Sequence, residues 1–366
     1  LLPMGMTGRE RYLATIRFED TDRPVRFEAL GVDVNTLIRW HKEGYEGSAN
    51  EVGFFGAFGF DIPAPVMIGA HLHPGFYPEY EEKVLKDDGR HKLIQTQAGI
   101  IQEIHSDGAM SIPHFLKFPV ENLDDLKKNL PRLNPRDNER VDRWKWSFEL
   151  SKGAGLPLFL YVSGCFGFHR HLMGFENLMV AYVEQPELIY EMSQAWENLI
   201  IGIIERARFH GIVDIVYFWE DMCYKNGPMI SPKMFKEFIQ PYYKRVCARA
   251  LELDVTGLCV DTDGDCNLLI PAFVEAGINF MLPFEVQAGM DIREVRKKYP
   301  KLAIQGGLDK RALAKGRDAI DAELSSKMDF MLSQKGWIPS LDHVVPPDVP
   351  YQNWLYYLER VRGWKA

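Results

Sequence analysis

Four apolar runs in the second half of the chain stop on acidic or imidazole side chains. They read Asp214-Ile-Val-Tyr-Phe-Trp-Glu220-Asp221, Gly257-Leu-Cys-Val-Asp261-Thr-Asp263-Gly264, Phe280-Met-Leu-Pro-Phe-Glu285 and Trp337-Ile-Pro-Ser-Leu-Asp342-His343. Short apolar runs bounded by turn residues are what strands buried on both faces look like. After Pro157 they alternate with helical spacing. Strands are predicted over 156–163, 212–218, 255–260, 278–284, 301–305 and 336–341. Helices are predicted over 175–208 (a pair, with Pro186 opening the second), 232–252, 266–276, 291–298 and 317–333. Such alternation means parallel strands covered by helices.

The first third has a different texture. Residues 7–17 read as a short helix with Thr7 as its N-cap. From 24 to 115 the pattern is irregular and rich in Gly, Pro and aromatic residues, with strands expected near 25–30 and 99–105. An open doubly wound sheet would carry a Gly-rich turn after its first strand. None is present, and Gly306-Gly307 lacks the full spacing. The expected fold is therefore α/β: one (β/α)8 TIM barrel over residues 1–366, with an irregular, insertion-rich N-terminal third forming a lid or side wall.

A carboxylate beside an apolar run costs free energy unless it is paired, hydrogen-bonded or metal-bound. Strands that finish on such groups gather a site at the C-terminal rim of a barrel. The alternative is that some of them cap helices or form loop salt bridges, and that Asp261–Asp265 is a solvated turn. Tyr161, Phe166, Phe168, Phe218 and Trp219 would supply an aromatic wall fit for an aryl substrate, or simple core packing. His169 and His171 follow the 156–163 strand, in reach of substrate or at the surface. His71 and His73 have the spacing of a metal pair with nothing nearby to complete a set. Cys259 alternates with Asp261, as a further ligand or a small buried residue.

Composition narrows the classes. Lys and Arg total 43 against 51 Asp and Glu, a net charge of −8, which argues against a nucleic-acid partner. No apolar run reaches the length of a membrane span. Five cysteines lie between Cys165 and Cys266 without a Cys-x-x-Cys pair, the pattern of a free-thiol cytoplasmic protein.

The chain resembles the uroporphyrinogen decarboxylase superfamily, which includes cobalamin-dependent methyltransferases. The matching stretches are Arg9-Glu-Arg-Tyr-Leu-Ala with Asp22-Arg-Pro24, Phe60-Asp61-Ile62, Glu220-Asp-Met, Ser231-Pro-Lys-Met-Phe235 with Pro241-Tyr-Tyr-Lys244, Gly306-Gly-Leu-Asp309, and His343-Val-Val-Pro-Pro. The resemblance implies a (β/α)8 barrel. It departs from the decarboxylase where that enzyme has an arginine-bearing segment after the first strand. Here the chain reads Arg26-Phe-Glu28-Ala-Leu-Gly-Val-Asp33, whose acids would repel a polycarboxylate.

The methyltransferase branch carries a zinc site of His-x-Cys-Gly and a C-terminal cysteine. These positions fall on Asp261-Thr-Asp263-Gly264 and on His343. The resemblance thus implies zinc held by Asp261, Asp263 and His343, with Glu220 or water completing the shell. An oxygen- and nitrogen-rich site suits an ether or alcohol oxygen. The expected activity is methyl transfer from a small methyl donor, such as a methoxylated aromatic, to the cobalt of a separate corrinoid protein. Glu220, Asp261 and His343 are the expected catalytic groups, and Glu28, Asp61, Tyr161, His169, Trp219, Glu285 and Asp309 the expected substrate contacts. A homodimer stays open. Two other readings also stay open: a lyase on a different cyclic substrate using Asp61 and His343 without metal, and a non-catalytic tetrapyrrole or metal binder.

Overall fold

The computed structural model describes residues 5–48, 54, 56–63, 65–69, 75–106 and 113–364. His71 and His73 lie outside the described residues. Thirteen strands are described, in chain order β1 (Val66–Gly69), β2 (Lys83–Asp87), β3 (His91–Gln95), β4 (Ile101–His105), β5 (His114–Lys117), β6 (Leu158–Ser163), β7 (Ile215–Trp219), β8 (Cys223–Tyr224), β9 (Gly227–Pro228), β10 (Gly257–Asp261), β11 (Phe280–Leu282), β12 (Ala303–Gln305) and β13 (Trp337–Ile338).

Seven of them form one parallel sheet in the order β1-β6-β7-β10-β11-β12-β13. Neighbours in this sheet are joined by crossovers that carry helices, so both faces are covered and β7 and β10 are buried almost throughout. Among the described residues β1 and β13 do not pair with each other. The stretch 25–33, extended on either side of a turn at residues 28–31, lies between them instead. Its Arg26 carbonyl accepts from the Asp61 amide ahead of β1, at 2.8 Å, and it exchanges two backbone bonds with Val345 beyond β13, each 3.1 Å. The strand expected at 25–30 therefore occupies an eighth place without a regular ladder, because its neighbours at this level are irregular loop.

The helix Gly8–Ile16 starts with a capping box, Thr7 accepting from the Glu10 amide and Glu10 from the Thr7 amide. The structure splits the helix expected over 232–252 into Pro232–Phe238 and Gln240–Glu252. Pro241 has no N–H to continue the first ladder, so the chain restarts there. The C-terminal helix Tyr351–Arg362 has no counterpart in the sequence prediction. It packs Trp354 on Trp40 of the helix Val34–Lys42, ring centroids 5.5 Å apart and stacked, and so ties the chain's end to its first third.

Strands β2 to β5 make a separate antiparallel sheet. It is exposed along both edge strands, and none of its residues lines the pocket described below. The five cysteines are free and buried. No helix among the described residues is long and apolar enough to cross a membrane.

Candidate active site

Side chains alternate across a strand, so residues two apart share a face. On β6 this puts Phe159 and Tyr161 inward, and on β7 Tyr217 and Trp219. The register pairs Tyr161 with Tyr217 and Trp219 with Asp261. These residues, with Met67 of β1, Gln305 of β12 and Phe27 of the extended stretch, line a pocket of about 340 Å³. Tyr12 forms part of its wall from the N-terminal helix. Its ring meets Phe27, Phe159 and Phe280 edge-on, and its hydroxyl donates to Gln305 Oε1 at 3.1 Å. Asp263, His343 and Val344 complete the lining from the loops that follow β10 and β13.

Asp261 is buried, 6 % exposed, and its Oδ2 accepts from the Tyr217 hydroxyl at 2.5 Å. Burial pushes its carboxyl up to about 7, against the pull of that hydrogen bond. The Tyr217 ring stacks on Tyr161 with centroids 4.6 Å apart. Asp263 Oδ2 lies 3.4 Å from His343 Nε2, and this contact raises the imidazole's pKa. Beside them Glu285 accepts from the Gly264 amide at 3.1 Å and meets Lys310 Nζ at 3.4 Å. Asp221, held at φ 48°, pairs with Arg170 at 3.5 Å. The Arg170 guanidinium lies 5.6 Å from the Trp219 ring centroid.

Of the residues expected from sequence, Tyr161, Trp219, Asp261, Asp263 and His343 share this pocket, and Glu285 stands behind it. The others are placed elsewhere. Glu220 falls on the opposite parity to Trp219 and is fully buried. Its carboxylate accepts from Tyr243 Oη at 2.6 Å, from the Gly167 amide at 2.8 Å and from the Phe166 amide at 3.3 Å, capping the start of helix Cys165–Met173. Gly164 makes room for it, since a Cβ there would sit 2.2 Å from the carboxyl carbon.

Glu28 faces away from the pocket, between Phe27 and Ala29 which line it. Its carboxylate bonds the Tyr357 hydroxyl at 2.7 Å and the Leu341 amide at 2.9 Å. Asp61 precedes β1, at the far end of the strands from the rim, and is held by Arg11 and Arg23. His169 is buried, pushed down to about 3 by loss of water, and bonded to Ser193 at 3.0 Å. Asp309 caps the helix Lys310–Lys315 and pairs with Arg311. Phe166, Phe168, Phe218 and Cys259 are core residues with no exposed surface.

As they stand, the four expected zinc ligands do not compose one shell. Glu220 is sealed by three donors, Asp261 is engaged by Tyr217, and only Asp263 and His343 face each other. No group of three His, Cys, Asp or Glu side chains positioned to hold a cation occurs among the described residues.

Tyr12, Phe27, Phe159, Tyr217 and Gln305 were not singled out by sequence. Strand parity flags Tyr217 once Trp219 is taken as inward. Nothing local flags Tyr12, which reaches the pocket from a helix more than two hundred residues away in sequence from Asp261.

A sequence profile of the family described as uroporphyrinogen decarboxylase (URO-D) matches residues 103–364. The chain belongs to that family. It is similar to the uroporphyrinogen decarboxylase of Alcanivorax borkumensis, 24 % identical over 200 residues, or 51 % of this chain and 52 % of that one. It is also similar to that of Geobacter metallireducens, 27 % identical over 135 residues, or 37 % and 38 %. The matches thus span about half or less of these curated relatives' length. Among solved structures, a methyltransferase from Methanosarcina mazei superposes with a TM-score of 0.60 at 12 % identity, covering 98 % of both chains. That likeness shows a shared fold.

Proposed function

We propose that this protein is a methyltransferase that demethylates a small methoxylated aromatic compound and passes the methyl group to the cobalt of a separate corrinoid protein. The observation that carries the reading is Asp261, a buried acid held near neutrality at the wall of a pocket lined by Tyr12, Phe27, Phe159, Tyr161, Tyr217 and Trp219. The full-length likeness to a methyltransferase fold supports it.

When a methyl group leaves an aryl ether, the oxygen keeps the bonding pair and needs a proton. Asp261 is protonated for part of the time near pH 7 and supplies that proton as a general acid. Tyr217 fixes the carboxyl's orientation, and the aromatic lining holds the ring and keeps water out. A reduced corrinoid on the partner protein would supply the electron pair that takes up the methyl group. The test is to incubate the protein with a methoxyphenol and a reduced corrinoid protein, reading ether loss and phenol appearance by chromatography. Phenol should form in stoichiometric step with ether loss, and only when both proteins are present. Phenol formation that ignores the corrinoid protein would reject the reading.

The Asp263–His343 pair favours a second reading, in which zinc sits there after Asp261 leaves Tyr217. Stoichiometric zinc in the purified protein, lost in both Asp263→Ala and His343→Ala, would favour this reading over proton donation by Asp261. A lyase reading that pairs Asp61 with His343 is less well supported, because Asp61 is held by Arg11 and Arg23 ahead of β1 while His343 lines the pocket.

A further inference from the structure

The charged side chains around the mouth of the pocket come in matched pairs. His343 meets Asp263 at 3.4 Å, Lys310 meets Glu285 at 3.4 Å and Arg170 meets Asp221 at 3.5 Å. The three pairs belong to one neighbourhood: Lys310 and Glu285 both act on His343, and Asp221 and Asp263 both act on Asp261. Every cation in this set therefore already has a carboxylate of its own. Asp261 is the group left over, with a phenol and no cation as its hydrogen-bond partner.

We infer that the pocket is built for an uncharged aromatic methyl ether and rejects aromatic carboxylates of the same size. This rests on the methyl-transfer reading above and narrows its substrate class. A ring carboxylate would enter a cavity walled by aromatic side chains, lose its hydration, and meet Arg170, Lys310 and His343 each already engaged by a carboxylate. It would also lie beside Asp261, whose ionised form is a like charge without a cation as hydrogen-bond partner and costs affinity. A neutral ring with a hydroxyl or ether oxygen meets neither penalty. Its faces pack on Tyr161, Tyr217 and Trp219, and its oxygen can bond the hydroxyl and carboxyl groups of the wall.

The test is calorimetric titration of the full chain with ortho-methoxyphenol and with ortho-methoxybenzoate, at a pH where the benzoate is fully ionised. The phenol should bind at least about tenfold more tightly. Glu285→Gln then removes the carboxylate from Lys310 while keeping an oxygen for the Gly264 amide. This variant should bind the benzoate several-fold more tightly than wild type does, and the phenol with little change. Equal affinities in wild type, an unchanged ratio in Glu285→Gln, or binding of neither ring would each overturn the inference. Neither titration reads methyl transfer. A protein that discriminates but does not transfer refutes the function and keeps the selectivity; one that transfers without discriminating does the reverse.

Discussion

Glu220 and Asp261 stand at the ends of neighbouring strands, and the Glu220 amide donates to the Asp261 carbonyl at 2.9 Å. Both side chains are buried, yet their surroundings could hardly differ more. Three donors saturate Glu220 and join β7 to two helices. Asp261 has one hydrogen-bond donor, Tyr217, and a pocket beside it. A buried carboxylate with both oxygens engaged by donors is part of the scaffold. One answered only in part, at the edge of a cavity, is available for chemistry.

The largest test of this contrast is kinetic. Asp261→Asn should lower methyl transfer by roughly 10²–10⁴-fold, the usual contribution of a general acid, with substrate affinity little changed. Activity within tenfold of wild type would remove Asp261 from the reaction. The companion test is thermodynamic. Glu220→Ala strands two buried amides and a buried phenol, and should cost about 2–4 kcal/mol, read as a lower denaturation midpoint in urea. A midpoint unchanged from wild type would mean that Glu220 is not the cap described here.

The stability of Asp261→Asn sharpens the comparison further. The folded state raises this carboxyl from 3.8 to about 7, so the native protein holds the proton more tightly than the unfolded chain does. Its contribution to stability therefore falls as pH rises from 3.8 to about 7, and stays reduced above that. The asparagine variant lacks this loss. It should be more stable than wild type above neutrality, by up to about 4 kcal/mol, and the gap should close in acid. A gap of the same size at all pH values would contradict it. The smallest effect belongs to Tyr217→Phe. Proton donation by Asp261 predicts that activity falls as pH rises through about 7. Removing the phenol's hydrogen bond to the carboxylate should move that fall upward by roughly half to one pH unit. A downward move would show that the phenol acts otherwise.

Much of this was legible in the amino-acid pattern. The alternation after Pro157 located the strands of the large sheet from β6 onward, because a buried parallel strand needs a short apolar run and its crossover needs a helical one. The strand ends pointed to Asp261, Asp263 and His343, and the aromatic content to Tyr161 and Trp219. The sequence reading placed Glu220 with Trp219 in one site, although the side-chain period of two in a strand puts neighbouring residues on opposite faces.

What the pattern could not give is which polar group is already satisfied. Glu220 looks like Asp261 in sequence until the phenol of Tyr243 and the amides of Phe166 and Gly167 arrive from distant segments. Glu28 looks like a pocket acid until Tyr357 of the C-terminal helix closes over it. Tyr12 looks like a core residue of a short helix until that helix meets the inner wall of the sheet. Local spacing sets which face a side chain takes, because that follows from backbone geometry. Whether the side chain then caps a helix, joins an ion pair or faces a cavity depends on partners far away in the chain, and only the tertiary structure brings those together.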